Sequence, residues 1–113
     1  MTLLYAIIGL FALGAIIGVY LLALVLQKKE TPKLVAFIHG GMVATALILL
    51  IYYTLRHPPG MPESVVLFTV AAVGGATLMA RDLTGKSLPK WLAVGHGLIA
   101  VAGFVFLLIR AFG

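Results

Sequence analysis

The sequence predicts an all-α integral membrane protein, a single domain (1–113) formed by a bundle of four transmembrane helices in two parallel helix-hairpin repeats. Three observations support this prediction. The 113 residues are 63% hydrophobic with a mean hydropathy of +1.20, far from the composition of a soluble domain. Four apolar stretches contain no Lys, Arg, Asp or Glu. One short phrase also occurs twice, 57 residues apart.

Each apolar stretch is near the ~20 residues that a helix needs to cross a bilayer. The first, 3–26, is too long for the core of a signal peptide and follows no basic segment, so we expect a mature spanning helix. The second, 34–55, begins after a proline, which is favoured in a first helical turn, and Thr31 is placed to cap it. The third, 64–80, is the shortest, and the fourth, 91–109, again follows a proline.

Basic residues mark one end of the predicted bundle. Six of the eight flank the connections between helices 1 and 2 and between helices 3 and 4, whereas Arg56 and Arg110 lie at the opposite end. This bias predicts that loops 27–33 and 81–90 are cytoplasmic and that both termini are outside, in a bacterial inner membrane. The net charge of +5 then reflects topology and contact with anionic lipids, and we expect no nucleic-acid partner. The six residues are Lys28, Lys29, Lys33, Arg81, Lys86 and Lys90.

The repeated phrase divides the chain into repeat 1 (1–56) and repeat 2 (57–113). Each repeat crosses the membrane twice, so the two copies share one orientation and are related by an axis along the membrane normal. In an up-down bundle this axis makes helices 2 and 4 diagonal partners. The phrase reads Pro32-Lys33-x-x-Ala36-x-x-His39-Gly40 in the first copy and Pro89-Lys90-x-x-Ala93-x-x-His96-Gly97 in the second.

His39 and His96 are the only ionisable side chains within the apolar stretches, and such residues mark functional sites by default. Both lie seven residues past a proline, about 10 Å into the membrane from the basic side. The diagonal of such a bundle is about 11 to 14 Å, too wide for direct contact between the imidazoles but suited to one metal held between them. Small residues predicted to leave room for a flat macrocycle are Ala36, Ala93, Gly40, Gly97, Gly18 and Gly75.

The chain has no cysteine, which excludes thiolate metal sites and covalent haem attachment. In its plan of paired histidines on different helices, the sequence resembles the four-helix transmembrane b-type cytochromes. The resemblance covers His39, His96 and the small residues beside them, and it implies one non-covalent haem b per chain with both histidines as axial ligands. Lys33 and Lys90 would then meet the haem propionates at the cytoplasmic interface.

Bis-histidine coordination leaves no open position on the iron and favours electron transfer over oxygen chemistry. We therefore expect one-electron transfer within the membrane rather than catalysis, with quinol-linked oxidoreduction left open. No extramembrane domain is predicted that would bind a water-soluble substrate, so the redox partner would be a quinone or a docked protein. A homo-oligomer and a subunit of a larger complex are both compatible with this sequence.

Several alternatives remain open. The histidines could hold helices together in a non-haem structural or assembly subunit, since intramembrane histidines often bond neighbouring helices. They could instead bind two chlorophylls, whereas a zinc or copper site would need more donors. A small multidrug transporter would need an acidic residue in the first helix, which is lacking. His57 is interpreted as a loop residue and Met42 as a packing residue.

Overall fold

The computed structural model describes residues 2–113, which form a bundle of four helices with no strand among them. Each helix is long and apolar enough to cross a membrane. The predicted all-α class and the four predicted helices are therefore confirmed. The helices are α1 (Thr2–Leu26), α2 (Lys33–Arg56), α3 (Pro62–Leu83) and α4 (Lys90–Phe112).

The third helix is longer than its apolar stretch. It has 22 residues because residues outside the apolar stretch extend it at both ends, with Pro62 and Glu63 in the first turn and Arg81 in the last. Proline suits a first turn, and an acidic first turn with a basic last turn complements the helix dipole. The short stretch 64–80 is thus the apolar centre of a helix of ordinary spanning length.

The expected capping role of Thr31 is wrong. Pro32 occupies the N-cap position of α2 and makes no side-chain cap. The hydroxyl of Thr31, which is buried, donates instead to Oδ2 of Asp82 over 3.2 Å. Lys33 Nζ pairs with Oδ1 of the same carboxylate at 2.9 Å. These bonds tie the loop between α1 and α2 to the end of α3.

The helices form a closed ring in which each packs against two neighbours, in the order α1, α2, α3, α4. Within residues 2–113 the backbones of α1 and α3 do not approach each other, and neither do those of α2 and α4. The helices that carry His39 and His96 therefore lie on a diagonal of the bundle. The long dimension of the molecule is 42 Å, about twice the other two.

Most of the buried residues form pairs that are 57 residues apart. Phe11 and Phe68 form one such pair, and their rings stack across the bundle with centroids 3.9 Å apart and planes within 4°. The outer surface carries large apolar side chains such as Trp91, Leu55 and Leu34, all more than two-thirds exposed. The other buried pairs are Leu4 and Met61, Ile7 and Ser64, Gly14 and Ala71, Ala46 and Gly103, and Leu50 and Leu107.

Leu50 and Leu107 occupy matching places in the core, and both are 0% exposed. Replacing either with alanine leaves a cavity, and we expect each change to lower the free energy of unfolding by about 2 kcal/mol, because packing is lost even where lipid replaces water. Leu55→Ala is the matched control, since Leu55 is 74% exposed. Unfolding in detergent measures the free energy of unfolding of all three variants. An equal loss of stability in Leu55→Ala would contradict this division into core and surface.

Candidate cofactor site between two histidines

His39 lies against the backbone of α1. Its Nδ1 donates a hydrogen bond to the carbonyl oxygen of Gly14 over 2.9 Å. One turn further along α1, a Cβ on Gly18 would lie 3.0 Å from Cε1 of the imidazole. Glycine at this position therefore lets the ring lie directly on the helix, where it is half-buried. Gly18 was expected to leave room at the edge of a macrocycle, but what it contacts is the imidazole.

His96 has the same surroundings in the second hairpin. Its Nδ1 donates to the carbonyl oxygen of Ala71 on α3 over 2.7 Å. A Cβ on Gly75 would again lie 3.0 Å from Cε1 of the ring. Both hydrogen bonds span 25 residues. The two histidines are thus held by two closely similar sets of contacts, one in each hairpin.

These hydrogen bonds determine which ring nitrogen is free. A carbonyl oxygen only accepts, so Nδ1 of His39 and of His96 carries the proton, and Nε2 of the neutral ring presents a lone pair. Metal-binding histidines commonly donate their second nitrogen to a backbone carbonyl, which fixes the ring and raises its basicity. Both imidazoles therefore have the hydrogen-bonding arrangement of metal ligands.

The two imidazoles face each other across the bundle, with ring centroids 6.3 Å apart and planes at 83°. An imidazole nitrogen lies about 1.1 Å from its ring centre and a metal–imidazole bond is about 2.0 Å long, so two axial ligands have ring centres about 6.2 Å apart. The observed centroid separation matches the one expected for a single metal between the rings when both Nε2 atoms point at it. No group of three or more His, Cys, Asp or Glu side chains converges within residues 2–113.

The glycine that follows each histidine has more space than Gly18 and Gly75. A Cβ on Gly40 would meet no atom within 4 Å, and one on Gly97 would only reach van der Waals distance of Leu22. Contacts within the protein thus do not require glycine at these two positions. Ala36 and Ala93, one turn before the histidines, are half-buried and buried respectively.

The remaining predicted residues lie away from the histidine pair. Lys33 and Lys90 are at the basic end of the bundle, six residues or about 9 Å of helix from the imidazoles. His57 follows the last residue of α2 at the other end, where its ring stacks on Tyr53 at 4.4 Å. The structure thus leaves His57 outside the candidate site.

An apolar groove that sequence reasoning missed runs along α3 and α4 beside His96. It has a volume of about 320 Å³ and is walled by residues that include Val70, Val73 and Trp91. Gly74 and Thr77 line it, whereas the corresponding positions of the first hairpin, 57 residues earlier, hold Ile17 and Tyr20. This difference at the 57-residue offset is the signal that could have indicated the groove.

Comparison of the chain with family models, with curated proteins and with solved structures finds no match. Function is therefore inferred from the geometry of the histidine pair.

Proposed function

We propose that this chain is a small membrane b-type cytochrome that holds one haem between His39 and His96 and transfers electrons within the membrane. The observation that carries the proposal is the matched imidazole pair. Both rings have Nδ1 bonded to a carbonyl, both present a lone pair on Nε2, and their centroids are 6.3 Å apart. A porphyrin would supply the four equatorial nitrogens that the protein lacks.

The proposal includes insertion of all four helices into a bilayer. Large apolar side chains on the outer surface would face lipid, while polar groups such as Ser64 and the histidines face inward. The excess of Lys and Arg at one end would place that end in the cytoplasm and both termini outside. A bacterial inner membrane remains the expected location.

We also propose that the bundle consists of two copies of one helix hairpin. Support comes from the buried pairs that lie 57 residues apart and from the equal spans of the two histidine hydrogen bonds. A duplicated hairpin explains why two imidazoles reach one level on diagonal helices. It also gives a single cofactor two equivalent ligands.

A haem bound by two imidazoles supplies a coordinatively saturated iron that exchanges single electrons. Within the protein, the carbonyls of Gly14 and Ala71 hold each imidazole through Nδ1, so Nε2 is the nitrogen that would bind the iron. Phe11 stacks on Phe68 about one turn before Gly14 and Ala71, on the side of the histidines away from the basic end, and this stack would exclude water from the cofactor there. Small residues beside the two histidines leave space for a macrocycle, namely Ala36, Ala93, Gly40 and Gly97. Lys33 and Lys90 would balance the charge of the haem propionates at the cytoplasmic interface.

A structural subunit without haem is the second candidate, and the histidine contacts themselves favour it. Each imidazole already ties the two helices of its hairpin through a hydrogen bond, and each packs on a glycine. In that case Nε2 would have no ligand, and the histidines would serve helix packing within a larger membrane complex. The two candidates differ in whether the pair binds haem.

Titration of the detergent-purified apoprotein with haem tests the proposal. We expect saturation at one haem per chain with a low-spin spectrum, and a rise in the thermal midpoint, because a ligand that binds only the folded state stabilises it. Absence of saturable binding by a folded, helical protein would contradict the cytochrome and favour the structural subunit.

A further inference from the structure

The basic end of the bundle forms a concave pocket, here called the basic cup, between the two loops that join α1 to α2 and α3 to α4. It has a volume of about 570 Å³, and each hairpin contributes its connecting loop to it. Five lysines line it together with the two carboxylates of Glu30 and Asp82. The lysines are Lys28, Lys29, Lys33, Lys86 and Lys90.

Positive charge in the basic cup is largely uncompensated. The lysines outnumber the carboxylates by three. Asp82 is bonded by Lys33 and Thr31, and within residues 2–113 no carboxylate lies in ion-pair contact with any of the other four lysines. Ammonium groups that converge on one concavity raise the local concentration of anions and present several N–H donors to one acceptor. The basic cup therefore has the chemistry of an anion site.

Lys28 adds a second observation, from the backbone. It adopts the left-handed conformation with φ of 56°, at the end of α1, and the amide of Lys29 closes the turn on the carbonyl of Leu24. The corresponding residue after α3 is Gly85, with φ of 74°, and Lys86 closes that turn in the same way. This conformation favours glycine and costs stability in a lysine. A lysine is thus present where the fold prefers glycine, and this residue lines the cup.

We propose that the basic cup binds a phosphate-bearing anion, and that the source is the headgroup of an anionic phospholipid. Phosphate oxygens accept several hydrogen bonds at once, which suits a ring of ammonium groups. The volume exceeds that of a phosphate ion and leaves room for an attached glycerol. Only the choice of lipid as the source rests on the proposed membrane insertion, which places this end at the level of the headgroups. Lys33 and Lys90, which the cytochrome proposal assigns to the haem propionates, also line this cup, so the test uses Lys28 and Lys86 instead.

The experiment compares four proteins in neutral detergent: wild type, Lys28→Gly, Lys86→Gln and the double variant. Native mass spectrometry with added phosphatidylglycerol counts bound lipid, phosphatidylcholine is the uncharged control, and inorganic phosphate is the soluble probe. We expect one phosphatidylglycerol per chain, bound about fivefold more weakly in each single variant and about 25-fold more weakly in the double variant. Added salt should weaken the binding of phosphatidylglycerol further.

Two controls separate this result from loss of structure. Arg56→Gln removes one positive charge at the opposite end of the bundle and should leave binding unchanged. Lys28→Gly relieves the left-handed lysine, so it should unfold at the same or a higher temperature while binding less lipid. Haem content measured on the same samples reports separately on the cytochrome proposal.

Saturable binding of inorganic phosphate that the two lysine variants weaken, with no preference for phosphatidylglycerol, would support the phosphate site and overturn its assignment to lipid. Equal lipid binding in all variants, Arg56→Gln included, would overturn the cup as the site. Failure of the chain to enter detergent micelles or bilayers would instead contradict the proposed membrane insertion.

Discussion

Alanine in place of either His39 or His96 is expected to abolish the low-spin haem spectrum, because each imidazole would supply one of only two protein ligands to the iron. Loss of one ligand leaves an open coordination position and a high-spin or empty site. The measurement is the visible spectrum of each purified variant in its oxidised and reduced forms. An unchanged low-spin spectrum in His96→Ala would contradict the proposal that both histidines share one iron.

Two further variants serve as controls for this result. His57→Ala should leave the spectrum intact, since His57 lies at the far end of the bundle and stacks on Tyr53. His39→Asn keeps an N–H donor at the place of Nδ1, next to the carbonyl of Gly14, but removes the imidazole. We expect His39→Asn to fold and bind no low-spin haem, which separates the ligand role of the histidine from its role in helix packing.

We expect the second large effect, a loss of haem affinity, from larger side chains beside the imidazoles. Gly18→Val and Gly75→Val would place side chains where even a Cβ lies 3.0 Å from Cε1 of His39 or His96. The ring must then move and its hydrogen bond to the carbonyl must lengthen or break, which costs about 1 to 3 kcal/mol for a buried polar group left unsatisfied. We expect haem affinity to fall about tenfold or more in each variant.

Gly9→Val is the matched control for Gly18→Val, because it adds the same side chain to the same helix, α1. A Cβ on Gly9 would meet no atom within 4 Å, and the residue is exposed on α1. Haem affinity should therefore be unchanged, as measured by titration of the apoprotein. A loss in Gly9→Val equal to that in Gly18→Val would show that the effect comes from general destabilisation of α1 and not from the imidazole.

Much of the fold could be predicted because the position of each helix depends on residues that are close together in the sequence. Stretches without charge indicated four helices, and the proline before α2 and α4 indicated where those helices begin. The true ends of α3 could not be predicted from apolar length, because Pro62, Glu63 and Arg81 extend it with polar residues. The role of Thr31 was also missed, since its partner Asp82 is 51 residues away and no local pattern indicates that contact.

The candidate site could be predicted in part. The 57-residue offset indicated that His39 and His96 are equivalent and that Gly18 and Gly75 belong near them. The acceptors of Gly14 and Ala71 could not be predicted, because every residue carries a carbonyl and only the packing of the helices selects one. The Phe11–Phe68 stack lies at the same offset and could have been found by extending the comparison of the two repeats.

The most direct test of haem binding between His39 and His96 is a reduced-minus-oxidised visible spectrum of the protein purified in detergent, with its haem content measured as the pyridine haemochrome. We expect sharp α and β bands in the reduced protein and about one haem b per chain. A colourless protein that remains colourless after haem is added would contradict the proposed cytochrome and leave His39 and His96 with a role in helix packing alone.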